Sequence, residues 1–174
     1  IPELLESGID SFKIEGRMKT ALYVAAVTRT YRKAIDDCKQ DVNLYRRNLE
    51  WYKEEIGKCT TREFSTGFYF GKPGSDSQIY DNSTYHKNYT YLGTVQERDS
   101  SDRARIEQKN KFSVGETIEV MKPSGENLLV SVKGIYDEEG RSQESAPHAR
   151  QIVWVDLGIT PEPWDILRRR EEDD

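Results

Sequence analysis

Ser11-Phe12-Lys13-Ile14-Glu15-Gly16-Arg17-Met18-Lys19 is the stretch around which the 174-residue chain is organised. Phe12 and Ile14 alternate with polar neighbours, the period of a strand over 11–15 with one apolar face. The charged run behind them, loosened by Gly16, reads as a turn, and a helix starts directly after Lys19. In an α/β enzyme the carboxyl end of a strand, where a helix begins, is where substrates sit. Glu15, Arg17 and Lys19 fall at that corner and are the candidate catalytic residues. The competing reading is a solvated charged loop. Residues 1–8 read as a short helix closed by Gly8, so no partner strand precedes this one. A lone apolar strand cannot satisfy its own ladder. The expectation is a piece of a longer protein, or a strand completed by another chain.

Working outward, Ala21, Val24, Ala25, Tyr31, Ala34, Ile35 and Cys38 recur at helical spacing behind a capping Thr20, which predicts a helix over 20–39. Leu44, Tyr45, Leu49, Tyr52 and Ile56 predict a second helix over 43–56, opened by Asp41 or Asn43 and stopped by Gly57. The short link sets the two antiparallel. The first stripe reads as core packing, not as a cofactor box, and the second helix, polar over 44–57, is assigned no role. Residues 59–88 change character: Phe64, Phe68, Tyr69 and Phe70 lie among glycines, followed by a polar tract with Tyr80 and Tyr85. This is an aromatic-rich linker, whose rings either pack on a neighbouring domain or stack on nucleobases.

From Tyr89 the period becomes two. Segments 89–97, 103–109, 117–122, 128–136 and 150–157 alternate, with Gly134 reading as a bulge in the longest. Five or six short strands at this spacing predict a small antiparallel β-barrel over 89–160. Pro161 and Pro163 end regular structure, and 161–174 reads as a charged tail. On the barrel, Arg98, Arg103, Arg105, Lys109 and Lys111 can gather beside Tyr89 and Tyr91 as a nucleic-acid-binding face, because small barrels bind RNA by charge and stacking together. Glu97, Asp99, Asp102, Glu107 and Glu119 dilute that face, and a charge-mixed solvated surface is the competing reading. The fold class is therefore α+β: a strand and helices over 1–58 that read as the edge of a larger α/β sheet, then the barrel.

A net charge of −5 argues against a bulk electrostatic grip on nucleic acid and leaves room only for a local basic face. No apolar run approaches the roughly 20 residues needed to span a bilayer, and no secretory signal is visible. A cytoplasmic location without a membrane partner is expected, with Cys38 and Cys59 as free thiols. Neither cysteine has a CxxC partner, so no metal or iron–sulfur site is expected within this chain. No Ser–His or Cys–His pairing and no HExxH motif is present, and His86 and His148 stand alone.

Several of these stretches together resemble one family. Residues 8–19 (GIDSFKIEGRMK), then Tyr23-Val24-Ala25 and Tyr31-Arg32-Lys33-Ala34-Ile35-Asp36, are similar to the carboxyl-terminal part of the U32 peptidases, the collagenase-like peptidases. Thr66-Gly67-Phe68-Tyr69-Phe70-Gly71, Phe112-Ser113-Val114-Gly115-Glu116-Thr117-Ile118-Glu119 and Pro147-His148 match as well. The resemblance implies a barrel-like, TIM-like α/β catalytic region, of which residues 1–58 would be the carboxyl-terminal remnant, followed by an accessory β-barrel. It implies an enzyme as the parent protein: some related proteins take part in hydroxylating the wobble uridine of transfer RNA, another acts on ribosomal RNA, and others carry a protease label. It also implies an iron–sulfur centre in the parent, held by a cysteine signature upstream that Cys38 and Cys59 do not match, and a link to prephenate metabolism. Under it, Glu15, Arg17 and Lys19 would rim the catalytic cavity, and the barrel would recruit an RNA such as tRNA to it. The expected partners are the missing catalytic region and RNA. Proteolysis and a structural or dimerising role remain as alternatives, and the isolated chain is expected to be catalytically silent.

Overall fold

In a computed structural model that describes residues 1–59, 67–74 and 88–171, the helical spacing after Thr20 becomes the longest element. The Thr20 hydroxyl accepts a hydrogen bond from the Tyr23 amide at 3.2 Å and so opens α2 (Ala21–Gln40). Its buried face runs through Leu22, Ala26, Val27, Thr30, Ala34 and Cys38. That face is turned from the expected stripe, since Val24 and Tyr31 are exposed. A shorter helix, α1 (Pro2–Glu6), precedes it, with proline in the first turn where no amide donor is needed.

The helix expected over 43–56 forms as two, α3 (Val42–Arg47) and α4 (Leu49–Gly57). Asn48 breaks it, and buried Asp37 on α2 accounts for the break. The Asp37 carboxylate accepts hydrogen bonds from Asn48 Nδ2 at 2.7 Å, Tyr52 Oη at 2.5 Å and Lys33 Nζ at 2.8 Å. Asn48 thus spends its side chain on α2 instead of capping α4. Burial alone would raise the Asp37 pKa, but these three donors outweigh it and hold the group below its ordinary value.

The strand expected over 11–15 does not form. Among the described residues no segment pairs with it, Ile14 is exposed and Phe12 half-buried. Alternation proposes a strand, but only a ladder partner holds one. The chain instead makes a turn against α2, in which the Lys19 amide donates to the Gly16 carbonyl at 2.9 Å. Gly16 lets the turn approach the helix closely, since a Cβ there would come within 2.7 Å of Val24 Cγ2 and push that side chain aside.

Ten strands follow among the described residues: β1 (Tyr89–Arg98), β2 (Ala104–Glu107), β3 (Phe112–Ser113), β4 (Thr117–Met121), β5 (Asn127–Ser131), β6 (Gly134–Tyr136), β7 (Ser142–Gln143), β8 (Ser145–Ala146), β9 (Ile152–Asp156) and β10 (Ile166–Arg170). Eight form one antiparallel sheet in the order β5-β4-β10-β1-β2-β9-β6-β7, and β3 pairs separately with β8. Only Val132 and Lys133 connect β5, at one end of that order, to β6, near the other. Three Cα steps span at most about 11 Å, so the sheet must curl until its ends approach. The enclosed core contains Leu92, Ile106, Phe112, Ile118, Val120, Ile135, Val153, Val155 and Leu167. Two register shifts bend β1.

Two further expectations change. The run 128–136 is not one bulged strand, because β5 pairs with β4 while β6 crosses to β9. The charged tail is a central strand: β10 lies between β4 and β1, with Leu167 in the barrel core and Arg168 fully buried. Residues 172–174 lie outside the described residues. So do 60–66 and 75–87, which hold Phe64, Tyr80, Tyr85 and His86 of the expected linker. Phe68, Tyr69 and Phe70 are exposed.

The helices cover the outer face of the sheet. Leu22, Ala26, Val27 and Cys59 pack on Met121 and Ile166, so helices and barrel share a second core. Among the described residues no helix is long and apolar enough to cross a membrane.

Candidate nucleic-acid interface

Strand period places Ile166 and Arg168 on the outer face of β10, and Glu119 and Met121 on the outer face of β4. Where the helices cover that face, the charges are taken out of water and must find partners. Arg168 Nε donates to Glu119 Oε1 at 2.6 Å and its Nη2 to Glu55 Oε2 at 3.0 Å. Arg29 from α2 bonds the same Glu55 Oε2 and donates through Nη1 to the Lys122 carbonyl at 2.9 Å and to Asn127 Oδ1 at 3.0 Å. Lys58 Nζ bridges Glu55 Oε1 at 2.6 Å and Glu119 Oε2 at 3.2 Å. Asn127 Nδ2 donates to Glu55 Oε1 at 2.7 Å.

Two carboxylates and three cations thereby join α2, α4, β4 and β10. Burial would raise the Glu55 pKa, but Lys58 and Arg168 outweigh it and keep the group below its ordinary value. Burial lowers Arg29, against the pull of Glu55. Both Glu55 oxygens are occupied twice, so this carboxylate positions elements and has no free oxygen for acid–base chemistry. Cys59 beside it is buried, and desolvation pushes its thiol up to about 11, which leaves it protonated and inert at neutral pH.

This junction holds α2 over the barrel and leaves a groove of about 730 Å³ between them. Ala21, Ala25 and Thr28 form the helix wall, and Tyr91, Thr94, Val95 and Gln96 of β1 form the opposite wall. Arg29, Arg32, Glu107 and Lys109 supply its charged groups, and Trp164 stands at it with Ile166. A neighbouring hollow of about 440 Å³ shares Ala21, Tyr91 and Lys109 and adds Thr20, Tyr89 and Asn110. Arg32 is paired with Asp36, and Lys109 Nζ donates to Glu107 Oε1 at 2.6 Å. Lys109 is the main cause holding Glu107 below its ordinary pKa.

Glu15, Arg17 and Lys19 share the exposed turn before α2. Glu15 Oε1 accepts the Arg17 amide at 2.9 Å, and the Lys19 ammonium lies 5.2 Å from the Tyr23 ring centre. The turn leads directly into Thr20 of the hollow and Ala21 of the groove. Tyr89, Tyr91 and Lys109 meet α2 at this end.

Arg98, Arg103 and Arg105 lie around the opposite end of β1 and are neutralised. Arg98 pairs with Asp102 at 3.3 Å, Arg103 with Asp99 at 3.6 Å, and Arg105 with Glu97 at 3.5 Å and Glu138 at 3.4 Å. Arg103 also lies 4.3 Å from the Tyr136 ring centre. Lys111 is exposed, and its carbonyl accepts Arg169 Nη1 at 3.3 Å. The seven barrel residues therefore form no single patch. Sequence reading missed Arg29, Arg32, Glu55, Gln96 and Trp164. A tryptophan between Pro163 and an acidic residue was the available signal, and the prolines were read only as breakers.

Comparison with known proteins places this architecture. Residues 87–168 match the family described as Peptidase family U32 C-terminal domain, and residues 1–79 match Peptidase family U32. A Bacillus subtilis (strain 168) relative, tRNA hydroxylation protein P1, is 36% identical over 170 residues, covering 97% of this chain and 40% of the relative. The Escherichia coli (strain K12) tRNA hydroxylation protein P is 29% identical over 171 residues, covering 95% of this chain and 35% of the relative. The chain thus spans about two fifths or less of the length of these relatives. A crystal structure of the C-terminal domain of a Geobacillus thermoleovorans protein described as a U32 peptidase is 28% identical, covering 46% of this chain and 99% of that one, with a TM-score of 0.43.

Proposed function

The chain belongs to peptidase family U32, and on that premise we propose that it is the RNA-recruiting portion of a tRNA-hydroxylating enzyme. The observation that carries this reading is the 36% identity to a tRNA hydroxylation protein, sustained along 97% of the chain. The groove supports it chemically. Arg32 and Lys109 at its edge can exchange their solvent-accessible partners Asp36 and Glu107 for phosphates, and Tyr91 and Trp164 offer ring faces to bases. The buried junction keeps both walls fixed, so binding does not pay to order them.

The corner before α2 fits the same task. Glu15 fixes the backbone of the turn through the Arg17 amide, and the exposed Arg17 guanidinium beside it can take a phosphate or carboxylate through two parallel hydrogen bonds. Lys19 adds a point charge one step from the groove. Glu15, Arg17 and Lys19 then guide RNA from the barrel toward the catalytic part of the parent enzyme.

Cys38 and Cys59, both buried, do not fit an iron–sulfur centre, which draws on about four thiolates. The iron–sulfur centre of the parent takes its ligands from outside this sequence. The expected compartment is the cytoplasm, where tRNA is modified.

Binding of labelled tRNA to the chain, followed by fluorescence anisotropy, tests the reading. Affinity falls steeply between about 50 and 200 mM salt. Lys109→Ala and Arg32→Ala weaken binding more than Arg105→Ala. Absence of binding at low salt overturns the proposal.

A further inference from the structure

Among the described residues, Asp102, Arg150 and Trp164 are the non-glycine residues with positive φ. Aspartate tolerates that region in turns, but a bulky aromatic at φ 77° is an outlier. Burial does not repay it, because Trp164 is 76% exposed. Backbone strain of this kind persists only where the surroundings impose it. Here they do so visibly. The Trp164 amide donates to the Val95 carbonyl at 2.9 Å, and the Val95 amide donates to the Asp165 carbonyl at 2.8 Å. The buried Asp165 carboxylate accepts the Glu162 amide at 3.0 Å and Lys122 Nζ at 3.1 Å. Pro161 and Pro163 stiffen the same turn. A braced turn thus holds an indole out of the core and at the groove.

A second, independent observation concerns the groove itself. Arg29 lines it with a side chain only 7% exposed, and its Nε has no hydrogen-bond partner among the described residues. A buried guanidinium nitrogen without a partner is unusual. Arg29 is committed to buried Glu55, whereas Arg32 and Lys109 of the same lining are paired only with the solvent-accessible Asp36 and Glu107, pairs weak enough for an anionic occupant to displace.

We propose that the groove between α2 and the barrel receives an unpaired nucleotide, with its base stacked on Trp164 and its phosphate held by Arg32 and Lys109. This deepens the RNA-recruiting reading and rests on it. A base inside a duplex has both faces covered and cannot meet the indole, so the site selects single-stranded or flipped-out nucleotides. Apolar Val95, Met121 and Ile166 beneath suit a ring that excludes water.

The test uses the full chain with two probes, a single-stranded RNA pentamer of mixed sequence and a tRNA. The pentamer quenches tryptophan fluorescence, and the blunt duplex of the same sequence does not. Trp164→Ala and Trp164→Gly lower pentamer affinity about ten-fold or more, and Trp164→Phe retains most of it. The glycine variant relieves the positive φ, so its urea midpoint equals or exceeds that of the parent, which separates lost binding from lost folding. If both variants bind the pentamer as the parent does, or the duplex binds as well as the single strand, the nucleotide site is overturned while tRNA binding keeps the broader reading. If neither probe binds at low salt, both fall.

Discussion

Arg168 and Arg105 are both strand arginines with two carboxylates within ion-pair range, yet they belong to regions of opposite physics. Arg168 is fully buried between β4, α4 and a tyrosine ring. Arg105 keeps a side chain 27% exposed beside Glu97 and Glu138, which are themselves mostly in water. The first region is a junction in which every charge depends on its neighbours. The second is a surface where water substitutes for any partner. Burial, not the number of ion pairs, decides which charges hold the molecule together.

Removing one partner at the junction breaks the comparison most forcefully. Arg168→Ala takes a buried partner from both Glu55 and Glu119 and is expected to destabilise the chain by about 3–5 kcal/mol in urea denaturation. A loss below 1 kcal/mol would show that water reaches the junction. Pairing Arg168→Met with Glu119→Leu sharpens it. Removing both charges together is expected to restore most of the loss, because Glu55 keeps Arg29 and Lys58.

Acid probes the same contrast more gently. The folded pKa values of Glu55 and Asp37 lie below their ordinary values of 4.5 and 3.8. Their stabilisation is therefore complete above those ordinary values and is lost as pH falls through the depressed folded ones. Thermal melting should be flat from neutral pH down to about 5 and then fall, with Glu55→Gln removing part of that acid dependence.

Cys59 gives a chemical check. It lies 1% exposed beside the junction with its thiol raised to about 11, so iodoacetamide at pH 8 should label it only after unfolding. The smallest effect is expected at the surface: Arg105→Ala should cost no more than about 1 kcal/mol and lose even that in high salt.

The same division explains what could be read in the sequence. The long helix was legible because its cap and periodicity are local, and the observed α2 matches the expected 20–39 within a residue at each end. The barrel was legible because alternation with Gly and Pro punctuation is local as well. Strand β10 was not: three successive arginines look like a solvated tail, and Arg168 becomes a core residue only because Glu55, 113 positions away, meets it. Phe12 and Ile14 misled in the opposite direction, since alternation says nothing about whether a ladder partner exists. Glu55 carried no signal on a helix that looked merely polar. Trp164 carried one, the proline-bounded turn, whose meaning depends on a groove built by residues from α2, β1, β2, β4 and β10.

The place of β10 in the sheet has a consequence for synthesis. Its registers join Tyr91 to Arg168 and Glu119 to Arg168, so the two strands flanking it are made well before it. Until the ribosome has delivered residues 166–170, β1 and β4 each present an unsatisfied edge, with Leu92 and Val120 uncovered beneath. A chain interrupted before Ile166 is therefore expected to aggregate and be degraded rather than persist as a shorter barrel, which makes the arginine-rich β10 the quality check of the barrel.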